Sequence, residues 1–155
     1  VTCRQLVFGL VPLCLIAAAT VHAEDDASRI FRSFGLEGVW SPDCDRAPSR
    51  ENPRVYWQLG NSGPITHAVT FDGKTFAVID TISAASRLND NQIRFSVVRD
   101  RRVALTVTVE RKGGKIHTLS SVGADGTIYY RNGIEMATGN AGLFDQRCDG
   151  APPIS

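Results

Sequence analysis

VALTVTVERKGGKIHTLSSV, residues 103–122, is the stretch that decides the fold. Val103, Leu105, Val107 and Val109 recur at every second position, which places four apolar side chains on one face of a strand. Lys112-Gly113-Gly114 turns the chain, and Ile116, Thr118, Ser120 and Val122 make a second, weaker strand that ends at Ala124-Asp125-Gly126. Two strands joined by so short a turn are antiparallel, because a parallel pair needs a long crossover.

The same pattern extends in both directions. Downstream, Thr127 to Arg131 reads as a strand, Asn132-Gly133 as a hairpin turn, and Ile134 to Thr138 as the returning strand. Residues from Gly139 onward are irregular, with Leu143 and Phe144 packing ahead of Cys148. Upstream, Ile93, Phe95 and Val97 alternate before a turn at Asp100-Arg101. A polar stretch from Ser83 to Asn91 holds another strand or bulge. Phe76, Val78 and Ile82 share a face with Asp80 set among them. Ile65, His67, Val69 and Phe71 precede a tight turn at Asp72-Gly73-Lys74. Val55, Trp57 and Leu59 begin the series, which turns at Asn61-Ser62-Gly63-Pro64. This is an all-β antiparallel meander of about eight strands with no crossover helix. Such a sheet protects its edges by closing or by folding over. The expectation is a closed or nearly closed up-and-down barrel, with a sandwich as the alternative.

Ahead of the strands, Ala27, Ile30, Phe31 and Phe34 fall at i, i+3, i+4 and i+7, the spacing of a short amphipathic helix over residues 24–34 ended by Gly35. Gly38-Val39-Trp40 follows, and Ser41 to Pro53 is a loop by its Pro, Ser, Asp and Arg content. The first 23 residues read differently. Arg4, an apolar run from Leu6 to Ala19 and Val21-His22-Ala23 form a secretory signal peptide with cleavage after Ala23. The run is too short to span a bilayer, so no stable membrane span is expected. Cys14 follows Leu13, where a lipoprotein signal requires a small residue. A Val start fits a bacterial gene with a non-standard start codon, and the predicted location is the bacterial periplasm or outside the cell.

Removing 23 of the 155 residues leaves 132, enough for a single domain over 24–155. Of 17 basic residues only Arg4 is lost, so 16 face 16 acidic ones and the net charge is zero. No basic tail or acidic block points to nucleic acid or another charged partner. Two cysteines remain, Cys44 and Cys148. A solitary pair in an oxidising compartment bonds. A loop of this length is worth roughly 4–5 kcal/mol in the chain-entropy model. The pair has no CxxC spacing and no neighbouring His, so a metal or redox role is the weaker reading.

A short helix, Gly38-x-Trp40 and an up-and-down meander together resemble the calycin superfamily, which includes the lipocalins. The resemblance implies that Trp40 plugs the closed end of a barrel. Gly-x-Trp-x₃-Cys with a late Cys is also similar to small bacterial envelope proteins that carry no known activity. The Pro-rich stretch after Trp40 departs from the lipocalin pattern, which continues its first strand there.

The interior of such a barrel would take its ligand among His67, Phe71, Phe76, Asp80, Phe95 and Leu105. His67 shares the face of Ile65 and Val69, where a hydrogen-bonded core imidazole is the ordinary occupant. His117 has opposite parity to Ile116 and is expected to face solvent. Asp80 sits at an inward position of an apolar strand, where a carboxylate calls for an ion pair with an arginine such as Arg94, or for a strand end open to water. No Gly-x-Ser-x-Gly elbow, ligand-spaced histidines or isolated carboxylate pair is present, so neither enzyme chemistry, metal nor cofactor is expected. Asp43 and Asp45 read as solvated turn residues, and the basic turns at 99–102 and 111–115 as solvated ends. Of Tyr56, Tyr129 and Tyr130, at least one points outward. The leading functional reading is a non-enzymatic carrier of a small apolar or amphipathic ligand. The alternative is a protein-binding module, such as an inhibitor of an envelope or foreign enzyme, acting through the 41–53 loop.

Overall fold

The computed structural model describes residues 17–60 and 64–148, with side chains from Asp26 onward. Most of the expected leader, the Asn61-Ser62-Gly63 turn and residues 149–155 lie outside these. A helix, α1 (Ala17–Phe34), precedes ten strands: β1 (Gly38–Ser41), β2 (Arg54–Leu59), β3 (Ile65–Thr70), β4 (Phe76–Asn89), β5 (Gln92–Arg99), β6 (Arg102–Lys112), β7 (Lys115–Gly123), β8 (Ile128–Arg131), β9 (Ile134–Glu135) and β10 (Gln146–Cys148). All neighbours are antiparallel, in the order β10-β1-β2-β3-β4-β5-β6-β7-β8-β9.

The meander is therefore present, with two corrections. It has ten strands rather than about eight, the additions being β1 and, from the segment read as irregular, β10. It also does not close. One isolated bridge joins Ile116 of β7 to Asp145 just ahead of β10, with reciprocal backbone hydrogen bonds of 2.8 Å. A continuous ladder cannot form there, because further along β7 Ser121 and Val122 are paired with β8.

α1 is 18 residues long and starts seven residues earlier than the apolar spacing placed it. Its end is as expected: Gly35, at a φ of +73° that suits glycine, donates its N–H to the Phe31 carbonyl at 2.9 Å. The helix packs against β4 on the inner face of the sheet. Phe31, fully buried, meets Trp57 and Phe95 at ring separations of 5.7 and 5.2 Å. Trp40 is buried in the same core and donates Nε1–H to the Leu36 carbonyl at 2.8 Å, which fixes the passage from helix to sheet.

Register slips explain where simple alternation misplaces side chains, since a slip of one residue moves a side chain to the other face. A shift at Val69/Thr70 sets Phe76 opposite Thr70 instead of continuing the Asp80–Val78 face. A second, at Val97/Val98, sets Val103 opposite Val98, and Val103 is 48% exposed rather than inward with Leu105.

The 41–53 loop is irregular but firmly held. Asn52 is 1% exposed; its Nδ2 donates to the carbonyls of Asp43, Arg46 and Ala47, and its Oδ1 accepts from the Ser41 hydroxyl and the Asp43 N–H. Arg54 donates to the Asp43, Cys44 and Arg46 carbonyls. The Cys44–Cys148 disulfide, spanning 104 residues, ties the loop to β10.

Candidate functional site

Three strands in register bring a polar row onto the inner face. Trp57 of β2 pairs with His67 of β3, and His67 pairs with Asp80 of β4. The next step places Arg99 of β5 against Asp80, one residue beyond the Thr81–Val98 pair. The Trp57 and His67 rings lie 4.4 Å apart. Asp80 is 4% exposed and receives a two-pronged contact from Arg99, Nε to Oδ1 at 2.9 Å and Nη2 to Oδ2 at 3.0 Å. Such a fork is the strong form of the carboxylate–guanidinium contact. The partner of Asp80 is thus Arg99; Arg94 lies exposed on the other face.

The Asp80 carboxyl is held down to about 2, by His67 first and by the Arg99 guanidinium, against burial, which pushes upward. The Arg99 contact has hydrogen-bond geometry. His67 Nδ1, 3.9 Å from Asp80 Oδ2, lies beyond hydrogen-bond reach, so the guanidinium is the firmer partner.

Beside this row lies a cavity of about 190 Å³. Trp57, His67 and Asp80 form one side; Phe95, Leu105 and Val107 form much of the rest. The pairings Phe95–Val107–Ser121 and Val97–Leu105–Gly123 show how β5, β6 and β7 supply that floor. An apolar cavity of roughly 150 Å³ holds a benzene molecule, so this space suits one ring or a short branched chain. Trp57 Nε1 and His67 Nδ1 are both sealed from solvent without a hydrogen-bond partner among the described residues. Buried polar atoms in native proteins are nearly always paired, so these two orphans on residues that line the cavity set it apart from the rest of the described core.

Four of the six expected ligand residues, His67, Asp80, Phe95 and Leu105, meet at this cavity. Phe71 and Phe76 do not. Phe71 lies just past the end of β3, 37% exposed, with the Arg50 guanidinium 6.0 Å from its ring. Phe76, displaced by the slip, packs edge-on against Tyr56 at 5.5 Å.

A second and a third space continue the first. One of about 100 Å³ shares Trp57, His67, Val109 and Thr118 with it and adds Ile116, His117 and Asp145. Another of about 140 Å³ shares Thr118 and Asp145 with the second and is bounded by Pro53, Tyr130, Gly142 and Leu143. Asp145 is half-buried, but its Oδ1 is sealed and has no hydrogen-bond partner among the described residues. Burial pushes this carboxyl up to about 7. Tyr130 is pushed up as well, by burial first and then by the charges of Glu135 and Asp145.

His117 is 7% exposed, not solvent-facing. It does lie on the face opposite Ile116, but Phe144 stacks over it at 4.2 Å, and its Nε2 donates to Glu110 Oε2 at 3.0 Å. Glu110 also accepts from Gln92 at 2.8 Å, and its carboxyl is lowered by His117 first and Gln92 second.

Asp145 escapes any reading by alternation because residues 139–148 have no period. A usable signal was nevertheless present: Asp145 is three residues from Cys148, and a bond to Cys44 draws that segment alongside β1. Among the described residues, no group of three or more His, Cys, Asp or Glu is placed to hold a metal ion. No described helix is long and apolar enough to cross a membrane. The chain matches no known family model, no curated protein and no solved structure.

Proposed function

We propose that the protein is a non-enzymatic exported binding protein, periplasmic or secreted, that holds a small apolar or amphipathic molecule against the inner face of its sheet, in the manner of a calycin. The observation that carries this reading is the cavity of about 190 Å³ beside Trp57, His67 and Asp80, with its apolar floor of Phe95, Leu105 and Val107. A ligand there would bury its apolar body on Phe95, Leu105 and Val107 and accept a hydrogen bond from Trp57 Nε1. About 190 Å³ excludes a long acyl chain and favours a molecule of about a dozen heavy atoms or fewer.

Native mass spectrometry of the protein recovered from its own host tests this. A reproducible small extra mass that leaves on denaturation supports the carrier. A bare mass, together with no thermal shift from toluene or 2-phenylethanol, overturns it.

The protein-binding reading rests on a separate observation, the fixed 41–53 loop. Asn52, Arg54 and the disulfide hold its backbone while Asp45, Arg46, Ala47 and Arg50 face outward. A preorganised loop loses little entropy on binding. Alanine substitution of these four exposed residues, Ala47 being changed to Asp, should abolish capture of an envelope partner while sparing the fold; unchanged capture rejects the loop as the contact.

A further inference from the structure

The carboxylate at the far end of these spaces has no counter-ion among the described residues. Asp145 lies on the short segment that leads into β10, and its backbone is fixed by the reciprocal bridge to Ile116. Its side chain borders both the 100 Å³ and the 140 Å³ spaces, with Oδ1 sealed and unpartnered. No Lys, Arg or His nitrogen among the described residues comes within ion-pair distance of it. The contrast with Asp80, which has its own arginine, is direct.

Tyr130, on the same space, is raised by Glu135 and Asp145 in addition to burial. An uncompensated buried carboxylate is strongly disfavoured unless a cation or hydrogen-bond donors meet it. The aromatic rings of Trp57 and Tyr130 border the spaces on either side of Asp145. Ring faces attract an ammonium, and more strongly where water is excluded.

Resting on the carrier reading above, we infer that the ligand is a small organic ammonium, with its cationic head against Asp145 and its apolar body reaching past Trp57 toward Phe95 and Leu105. The second space borders both ends, since it shares Trp57, His67, Val109 and Thr118 with the first and is lined by Asp145. Asp80 is not the cation's partner, because Arg99 already occupies both of its oxygens. A neutral isostere would leave Asp145 unmatched, and an anion would face it directly.

Isothermal titration calorimetry on the oxidised protein at pH 8 tests this with three probes of one shape: 2-phenylethylamine, 2-phenylethanol and 3-phenylpropanoate. The amine should bind at least about ten-fold tighter than the alcohol, and the carboxylate should not bind. Asp145→Asn should bring the amine down to the affinity of the alcohol measured on the same variant. Leu105→Trp, which fills the apolar end and leaves Asp145 intact, should weaken amine and alcohol together. Equal affinity for amine and alcohol in the unaltered protein overturns the inference and leaves the carrier reading standing, even if the Asp145 variant does not fold. Retention of the amine preference in Asp145→Asn overturns it equally. Failure of all three probes overturns both readings.

Discussion

Asp80 and Asp145 are two carboxylates on one row of internal spaces, and the fold treats them in opposite ways. Asp80 lies in the middle of a long strand, paired across to His67 and forked by Arg99, and its carboxyl is held down to about 2. Asp145 lies on a short segment at an isolated bridge, without a cation, and its carboxyl is pushed up to about 7. Asp80 is buried and Asp145 half-buried, yet the more buried carboxyl is the one held down. The partner separates them. A regular ladder can deliver an arginine by register, whereas the single bridge to β7 sets Ile116 opposite Asp145.

The largest test of this contrast removes the covalent tie at the Asp145 end. Replacing Cys44 and Cys148 by serine should cost about 4 kcal/mol in denaturant unfolding, given a loop of 104 residues. Hydrogen exchange should quicken first in β10 and the 41–53 loop, while β3 and β4 stay protected. Equal loosening at both ends would erase the distinction.

The next test removes the partner at the Asp80 end. Arg99→Ala leaves a buried carboxylate with only His67 near it and should cost about 2 kcal/mol, below the usual range for a fully buried pair because Arg99 is half exposed. Asp145→Asn should act in the opposite sense, raising stability at pH 8 by about 1–2 kcal/mol by removing an uncompensated charge.

The pH profile should show both groups at once. The folded-state value of Asp80 is below its ordinary one, so its contribution is present above about pH 4 and is lost as pH falls toward 2. The folded-state value of Asp145 is above its ordinary one, so the native state binds the extra proton between about pH 4 and 7. Its contribution therefore falls as pH rises through that window and is flat above it. Thermal melts across pH 2–8 should show an acid limb to which Asp80 and Glu110 contribute, and a descending limb that disappears in Asp145→Asn. The smallest effect is spectroscopic: Tyr130 should titrate at lower pH in Glu135→Gln than in the unaltered protein, read by ultraviolet absorbance.

The legibility of these features in the sequence follows their periodicity. β6 and β7, the Asn132-Gly133 turn and the cysteine pair all carry local signals and are where these placed them, although the strand expected over Ile134 to Thr138 covers only Ile134 and Glu135. The inward set at His67, Asp80, Phe95 and Leu105 was readable because those strands keep register there. Phe76 and Val103 were not, because each lies just past a slip that depends on the neighbouring strand. Arg99 rather than Arg94 as the partner of Asp80 is likewise a matter of pairing, and both arginines sit on the same strand. Whether the sheet closes depends on how β7 divides its outer edge between β8 and Asp145, which no local pattern encodes.

The position of β10 also bears on how the chain folds. β1 has β2 on one side and, on the other, a strand more than a hundred residues later, locked there by a bond that only an oxidant can supply. Until that strand arrives, one edge of β1 offers unpaired backbone groups, the kind of edge that invites mispairing between chains. The hairpins from β2 to β7 are local and can assemble quickly, while the β1–β10 pairing carries the loop-closure entropy of nearly the whole domain. Docking of β10 is thereby expected to be a late step of folding, with the segment bearing Asp145 taking its place at the cavity in that step.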